Sequence, residues 1–396
     1  MYTWNMLFNM HLLVSTIILL GLINISVRGD LVAVVQIFRH GHRTPVATFS
    51  TDPYADASYW DYLDEGQLTN IGKRQHYELG QYTRKRYKNF LPTKYNSTLF
   101  YVETTDVDRT HMSAQTNVYG MFPATGTQIW RKGINWQAIP IHPANSSIFA
   151  TNFFPTECAA YTPLLTAALN GEEYEELNDE YSSLFEYLTE YSGDNISDFT
   201  DVNSIWDSLK AEDTASFRLP SWTDAVYPEP LRTLEGKIFE VYTHTTQMKR
   251  FVSGLFLNEV VEYLESMAND STSAETYRIY SGHDTNIAAT LNCFGVFDPP
   301  FPPAYASTIY IELHYENWQY LVRVFTKDGD TLTQISVNGC DVDCPIADFR
   351  EYLSDIILDS DTWISECNDT STSSKVLSVG QYTDEIVTSK WGGKSN

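Results

Sequence analysis

Residues 31–38 (LVAVVQIF) are apolar except for Gln36, and they run straight into Arg39-His40-Gly41-His42-Arg43-Thr44-Pro45. An apolar run without polar alternation reads as a strand buried on both faces. Such strands belong to parallel sheets covered by helices. In open sheets of that kind, ligands bind beyond the carboxyl ends of the strands. One segment thus predicts a fold class and also the place where chemistry would sit.

The rest of the chain fits that frame. Leu68, Ile71, Gln75, Leu79, Tyr82 and Arg86 recur at helical spacing, with Pro92 beyond a helix end near Asn89. Residues 99–105 read as a second strand, followed by a helix over 110–122. Residues 277–281 read as a third, with a helix from about Asn286. Alternating strands and helices predict an α/β fold, a mostly parallel sheet flanked by helices.

The middle differs. Tyr174, Leu177, Tyr181, Leu184, Leu188 and Tyr191 mark an acidic amphipathic helix, and Val202, Ile205, Trp206 and Leu209 mark another. Leu231, Leu234, Ile238, Val241 and Met248 begin a third that could run past Tyr263. Residues 160–270 therefore read as a smaller, all-helical inserted domain between 30–159 and 271–367. The alternative is that these helices simply cover the sheet. Residues 307–315 and 318–326 flank Glu316-Asn317 and predict a hairpin of antiparallel edge strands. Residues 368–396 form a polar tail rich in Ser and Thr.

The other strand ends matter as much as the first. The second strand runs into Asp106-Val107-Asp108-Arg109 and the third into Gly282-His283-Asp284. Three ends would bring Arg39, Arg43, Arg109, His40, His283 and Asp284 to one crevice. Arginine forks bind phosphate oxygens bidentately, and a helix N-terminus after Asp284 would add its dipole. The chemistry is recognition of a small oxyanion. This clustering is unusual in a chain of net charge −25 with only 26 Lys and Arg. That balance excludes a duplex nucleic acid as partner. A hydrophobic content of 43% excludes disorder.

The N-terminus carries the one long apolar run, residues 12–27, with Val27 and Gly29 at −3 and −1 of a cleavage before Asp30. It lacks a positive leading segment, yet 1–29 is expected to be a cleaved signal peptide, with an uncleaved anchor as the alternative. No other run reaches membrane length and no glycolipid-anchor signal ends the chain, so no membrane anchor is expected. Sequons at Asn96, Asn145, Asn195, Asn269 and Asn368 fit export and glycosylation. All five Cys follow the signal. An odd count leaves one free or bonded between chains. Cys340-Asp-Val-Asp-Cys344 could close a tight disulfide loop or serve as a metal ligand pair. No second pair stands at zinc spacing, which favours the disulfide.

The Arg-His-Gly-x-Arg-x-Pro motif with the late His283-Asp284 resembles the histidine acid phosphatases of the phosphoglycerate mutase-like superfamily. Further segments are similar to animal members of the prostatic, lysosomal and venom type: Gly66-Gln67-Leu68-Thr69, Thr105-Asp106-Val107-Asp108-Arg109-Thr110, Leu219-Pro220-Ser221-Trp222 and Pro303-Ala304-Tyr305-Ala306-Ser307. The resemblance covers roughly residues 31–367. It implies a secreted acid phosphatase, or one delivered to the lysosomal lumen, that hydrolyses small phosphate monoesters or phosphoproteins. His40 would become a phosphohistidine. Arg39, Arg43, Arg109 and His283 would hold the phosphate, and Asp284 would protonate the leaving oxygen. Trp206 would line the substrate site. The scheme needs no metal or cofactor. The family's disulfides map onto Cys158–Cys367 and Cys340–Cys344, leaving Cys293 unpaired. The segment around Trp136 and His142 resembles a subunit contact, so a homodimer is expected. His42, where relatives often have Asp, is expected to support the site or face solvent rather than react. A metal hydrolase built on His40 and His42 is the main rival, disfavoured by the adjacent arginines. A catalytically dead binding protein is the other.

Overall fold

The computed structural model describes residues 29–144, 155, 158–269 and 275–369. The rest of the expected signal segment, the sequon at Asn145 and the tail beyond 369 lie outside the described residues.

The sheet is mixed. Four of its strands, β1 (Asp30–Arg39), β2 (Phe100–Thr104), β3 (His142–Pro143) and β4 (Tyr277–Gly282), run parallel in the order β3-β2-β4-β1. Beyond β1 follow β5 (Thr308–Glu316), β6 (Gln319–Asp328) and β7 (Thr331–Ile335), each antiparallel to its neighbour. A two-residue strand, β8 (Cys344–Pro345), pairs with β6.

Burial on β1 explains why its sequence does not alternate. Val34 and Phe38 enter one core with α1 (Asn70–Arg86) and α2 (Asp108–Met121), through Leu79, Ala114 and Val118. Ala33, Val35 and Ile37 enter the other core on the opposite face. Gln36 is tolerated because its amide is matched. It donates to Thr83 at 3.4 Å and accepts from the Tyr277 hydroxyl at 2.9 Å.

The second face is covered by α3 (Tyr161–Leu169), α4 (Glu172–Ser192), α5 (Asn203–Thr214), α6 (Leu231–Val241), α7 (Thr246–Lys249), α8 (Leu255–Asn269) and α9 (Asp284–Cys293). Tyr161, Leu188, Leu209, Leu234, Phe256 and Ala289 share one continuous core with β1. Two further helices, α10 (Ile346–Leu353) and α11 (Ser360–Asn368), close the chain.

Two expectations need correction. The third middle helix is not continuous. It breaks after Val241 and restarts where the Thr245 hydroxyl accepts the Met248 N–H at 3.2 Å. This N-cap makes a new helix start energetically acceptable. From there α7 passes through a π-turn, Arg250–Gly254, into α8. The hairpin also does not lie at an edge. β5 pairs with β1, and β6 pairs with β7 and β8 as well as β5. Its turn is Asn317-Trp318, with φ of 52° and 66°, one residue later than expected. Two left-handed residues match the twist of a tight hairpin.

Cys158 is bonded to Cys367, and Cys340 to Cys344. Cys293 is free and buried, and burial pushes its thiol up to about 11, which keeps it unreactive.

Candidate active site

Parallel pairing brings three strand ends together. Arg39 lies opposite Gly282 across the β1–β4 pair, and the His40 N–H donates to Gly282 O at 2.8 Å. On the other side of β4, the Thr105 N–H donates to Ser281 O at 3.1 Å. The turn after β1 is seated on α1 backbone to backbone. A Cβ at Gly41 would sit 2.5 Å from Gly72 O, so neither glycine tolerates a side chain there. All six predicted polar residues, Arg39, His40, Arg43, Arg109, His283 and Asp284, line one cleft of ≈180 Å³.

The arginines are held but not exhausted. Arg39 donates to Pro303 O at 2.5 Å and to Asp284 Oδ2 at 2.6 Å, and its guanidinium lies 4.3 Å over the Tyr305 ring. Arg43 makes a bidentate pair with Asp207, at 2.7 and 3.0 Å. Arg109 donates toward His283 Nδ1 at 3.4 Å. Burial, then Arg43, pull the Arg109 guanidinium down to about 10. The Nε–H donors of all three are buried and have no acceptor among the described residues. Four cations, Arg39, Arg43, Arg109 and Lys210, face Asp207, Asp284 and Glu235, and the Glu235 carboxyl is held well above its ordinary range, so the cleft carries excess positive charge inside an acidic protein. That donor set suits a tetrahedral oxyanion.

His40 is 1% exposed, and its Nδ1–H donates to Gly41 O at 2.8 Å. A carbonyl can only accept, so Nε2 carries the lone pair. Burial, followed by Arg109, Arg39 and Arg43, holds the imidazole well below its ordinary value. It therefore stays neutral in acid. His283 is held down in the same way, first by burial and then by Arg109. Its ring meets Thr105 Oγ1 at 2.8 Å, and its backbone N–H donates to Asn286 Oδ1 at 2.7 Å. The latter bond fixes the start of α9. Asp284 is the first residue of that helix.

Trp206, on α5, also borders the cleft, with Ile238, Phe239 and Tyr242. Sequence reasoning missed further polar contributors, among them Asn203, Asp207, Lys210, Glu235 and Tyr305. Asp207 adjoins Trp206, and a carboxylate on the buried face of a helix was the available signal. His42 is fully buried. Its Nε2–H donates to Ala211 O at 2.9 Å, and Nδ1 meets Thr69 Oγ1 at 2.6 Å. Burial lowers it to about 4. Both ring nitrogens are thus engaged, Nε2 tying α5 and Nδ1 the start of α1 to the end of β1. They are not available to pair with His40 as metal ligands.

Comparison with known proteins places the chain in a family. A family model described as histidine phosphatase superfamily (branch 2) matches residues 30–327. The chain is 33% identical to prostatic acid phosphatase of Bos taurus, over 84% of this chain and 87% of that protein. It is 31% identical to lysosomal acid phosphatase of Homo sapiens, over 84% and 79%. It is 29% identical to a venom acid phosphatase of Apis mellifera, over 92% and 95%. Among solved structures, the phytase of Citrobacter braakii superposes with a TM-score of 0.65 at 15% identity, covering 86% of this chain and 100% of that one. At that identity only the fold is shared. The chain belongs to the histidine phosphatase superfamily, branch 2.

Proposed function

We propose that the protein is a secreted acid phosphatase that hydrolyses phosphate monoesters in acid through a phosphohistidine on His40. Phosphomonoesterase activity itself follows from its acid phosphatase relatives, which match most of the chain. One observation supports the finer mechanism most. A buried, neutral imidazole with its lone pair on Nε2 shares a cleft with three arginines whose Nε–H donors lack acceptors.

In this mechanism Nε2 attacks phosphorus while the bond from phosphorus to the ester oxygen breaks. Asp284 gives its proton to the departing oxygen, which leaves as alcohol. Water then attacks the phosphoimidazole, Asp284 takes a proton back, and the P–N electron pair returns to Nε2. The arginines stabilise charge on the equatorial oxygens. The field that keeps free His40 neutral also disfavours the phosphoimidazolium. The intermediate is therefore a good phosphoryl donor. Trapping a labelled, acid-labile and base-stable phosphoenzyme tests this. Its absence during turnover would overturn the covalent route.

Asp284→Asn is expected to slow alkyl phosphates by roughly 10²–10⁴-fold. Nitrophenyl phosphate, whose leaving group needs little protonation, should suffer far less. Steady-state kinetics on both esters decide it, and equal losses would remove Asp284 from the acid role.

A buried carboxyl near Asp52 also fits operation in acid. Glu212 is fully buried on α5 close to Asp52, and neither of its carboxyl oxygens has a hydrogen-bond partner among the described residues. Burial and Asp52 push Glu212 up to about 9. The folded chain then binds more protons than the unfolded one from the ordinary Glu value up to about 9. Stability is thus fully present below that window and lost as pH rises through it, at up to about 1.4 kcal/mol per pH unit. Glu212→Gln should flatten the fall of Tm between pH 5 and 8. A parallel fall in both proteins would count against Glu212.

Secretion, glycosylation and dimerisation belong to the same reading. The sequon residues Asn96, Asn195, Asn269 and Asn368 are exposed, which supports glycosylation. No described helix is long and apolar enough to cross a membrane. Trp130 and Trp136 are 59% and 44% exposed, which supports a contact between copies, and the particle mass in solution reads it.

A further inference from the structure

The cleft continues past the arginines along one side of α6. Glu235, Ile238, Phe239 and Tyr242 follow at helical spacing, and all four border it. Gly236 fixes how α6 is seated. A Cβ there would lie 2.5 Å from Pro300 O, so the helix abuts that backbone directly. Glu235 is 2% exposed among these apolar neighbours. Its Oε1 accepts from Asn203 Nδ2 at 2.9 Å, and its Oε2 has no partner among the described residues. Burying a carboxyl oxygen without a partner is costly, and a native fold keeps such a group for a reason.

We propose that Glu235, steadied by Asn203, is a specificity-determining residue that hydrogen-bonds a hydroxyl group on the alcohol half of the substrate. This rests on the reading of the cleft as the phosphatase centre. The phosphate end is set by the arginines and His40, so the alcohol must extend toward the remaining walls, Trp206, Phe239 and Glu235. Burial, then Asp284 and Asp207, hold the Glu235 carboxyl well above its ordinary range. In acid it is therefore neutral and can both donate and accept. A hydroxyl has the same two capacities. Plain alkyl esters would leave Oε2 unmatched.

The test compares kcat/KM for glycerol 1-phosphate and propyl phosphate at pH 5, in the wild type and in Glu235→Leu and Glu235→Met. The wild type is expected to prefer the glycerol ester roughly tenfold, the worth of one good hydrogen bond. Either variant should bring the ratio close to one. A wild-type ratio near one, or a ratio unchanged in a folded variant, overturns the assignment. Faster turnover of 2-aminoethyl phosphate than of the glycerol ester would mark a cation site and overturn it too. If the wild type cleaves neither ester nor nitrophenyl phosphate, the catalytic reading itself falls, and the assignment with it.

Discussion

His40→Ala is expected to lower kcat on nitrophenyl phosphate by roughly 10⁴-fold or more, because in the proposed route the phosphoryl passes through that ring. Nε2 is the only lone pair that the hydrogen-bond pattern leaves on that ring. The neighbouring His283 is engaged by Thr105 and Arg109. The variant should also fail to take up label from substrate. Phosphate binding should survive, since Arg39, Arg43 and Arg109 keep their positions through contacts that do not involve His40. Thermal stabilisation of the variant by inorganic phosphate therefore controls for folding. Retention of more than about 1% of kcat would move the nucleophile elsewhere.

The parts of the site that lie on strand ends were readable from sequence. The apolar run before Arg39 declared a doubly buried strand, and parallel pairing then dictated that Arg109 and His283 arrive at the same edge. Asp207, Glu235 and Tyr305 were not readable in the same way. They come from helices and a loop whose approach to the sheet depends on tertiary packing. Periodicity identifies the buried stripe of α5, but not that Asp207 on it faces Arg43. The break at Val241 was hidden because apolar spacing continues on both sides of it. β7 (TLTQI) is polar and mostly exposed and β8 has only two residues, so neither registered and the hairpin appeared to be an edge.

Asp207→Ala should destabilise the fold by about 3–5 kcal/mol, because it strands Arg43 as a buried charge. Arg43 is 5% exposed and Asp207 8%. The carboxylate takes two guanidinium bonds and also the Val46 N–H at 2.9 Å. Burial alone would raise Asp207, but Arg43 overrides this and holds it below its ordinary value. Without it, Arg39, Arg43 and Arg109 would face one another with only Asp284 between them. Bound phosphate would supply the missing counter-charge, so saturating phosphate should raise Tm more in the variant than in the wild type. The double variant Arg43→Met/Asp207→Leu separates stability from function. A buried ion pair replaced by packed apolar groups is often neutral or stabilising. The double variant should therefore regain most of the lost stability while remaining poorly active, at a cost of roughly 2–4 kcal/mol in transition-state stabilisation. If Asp207→Ala stays within about 1 kcal/mol of the wild type, or if phosphate stabilises both proteins equally, then Asp207 is not what holds Arg43 ready for the anion.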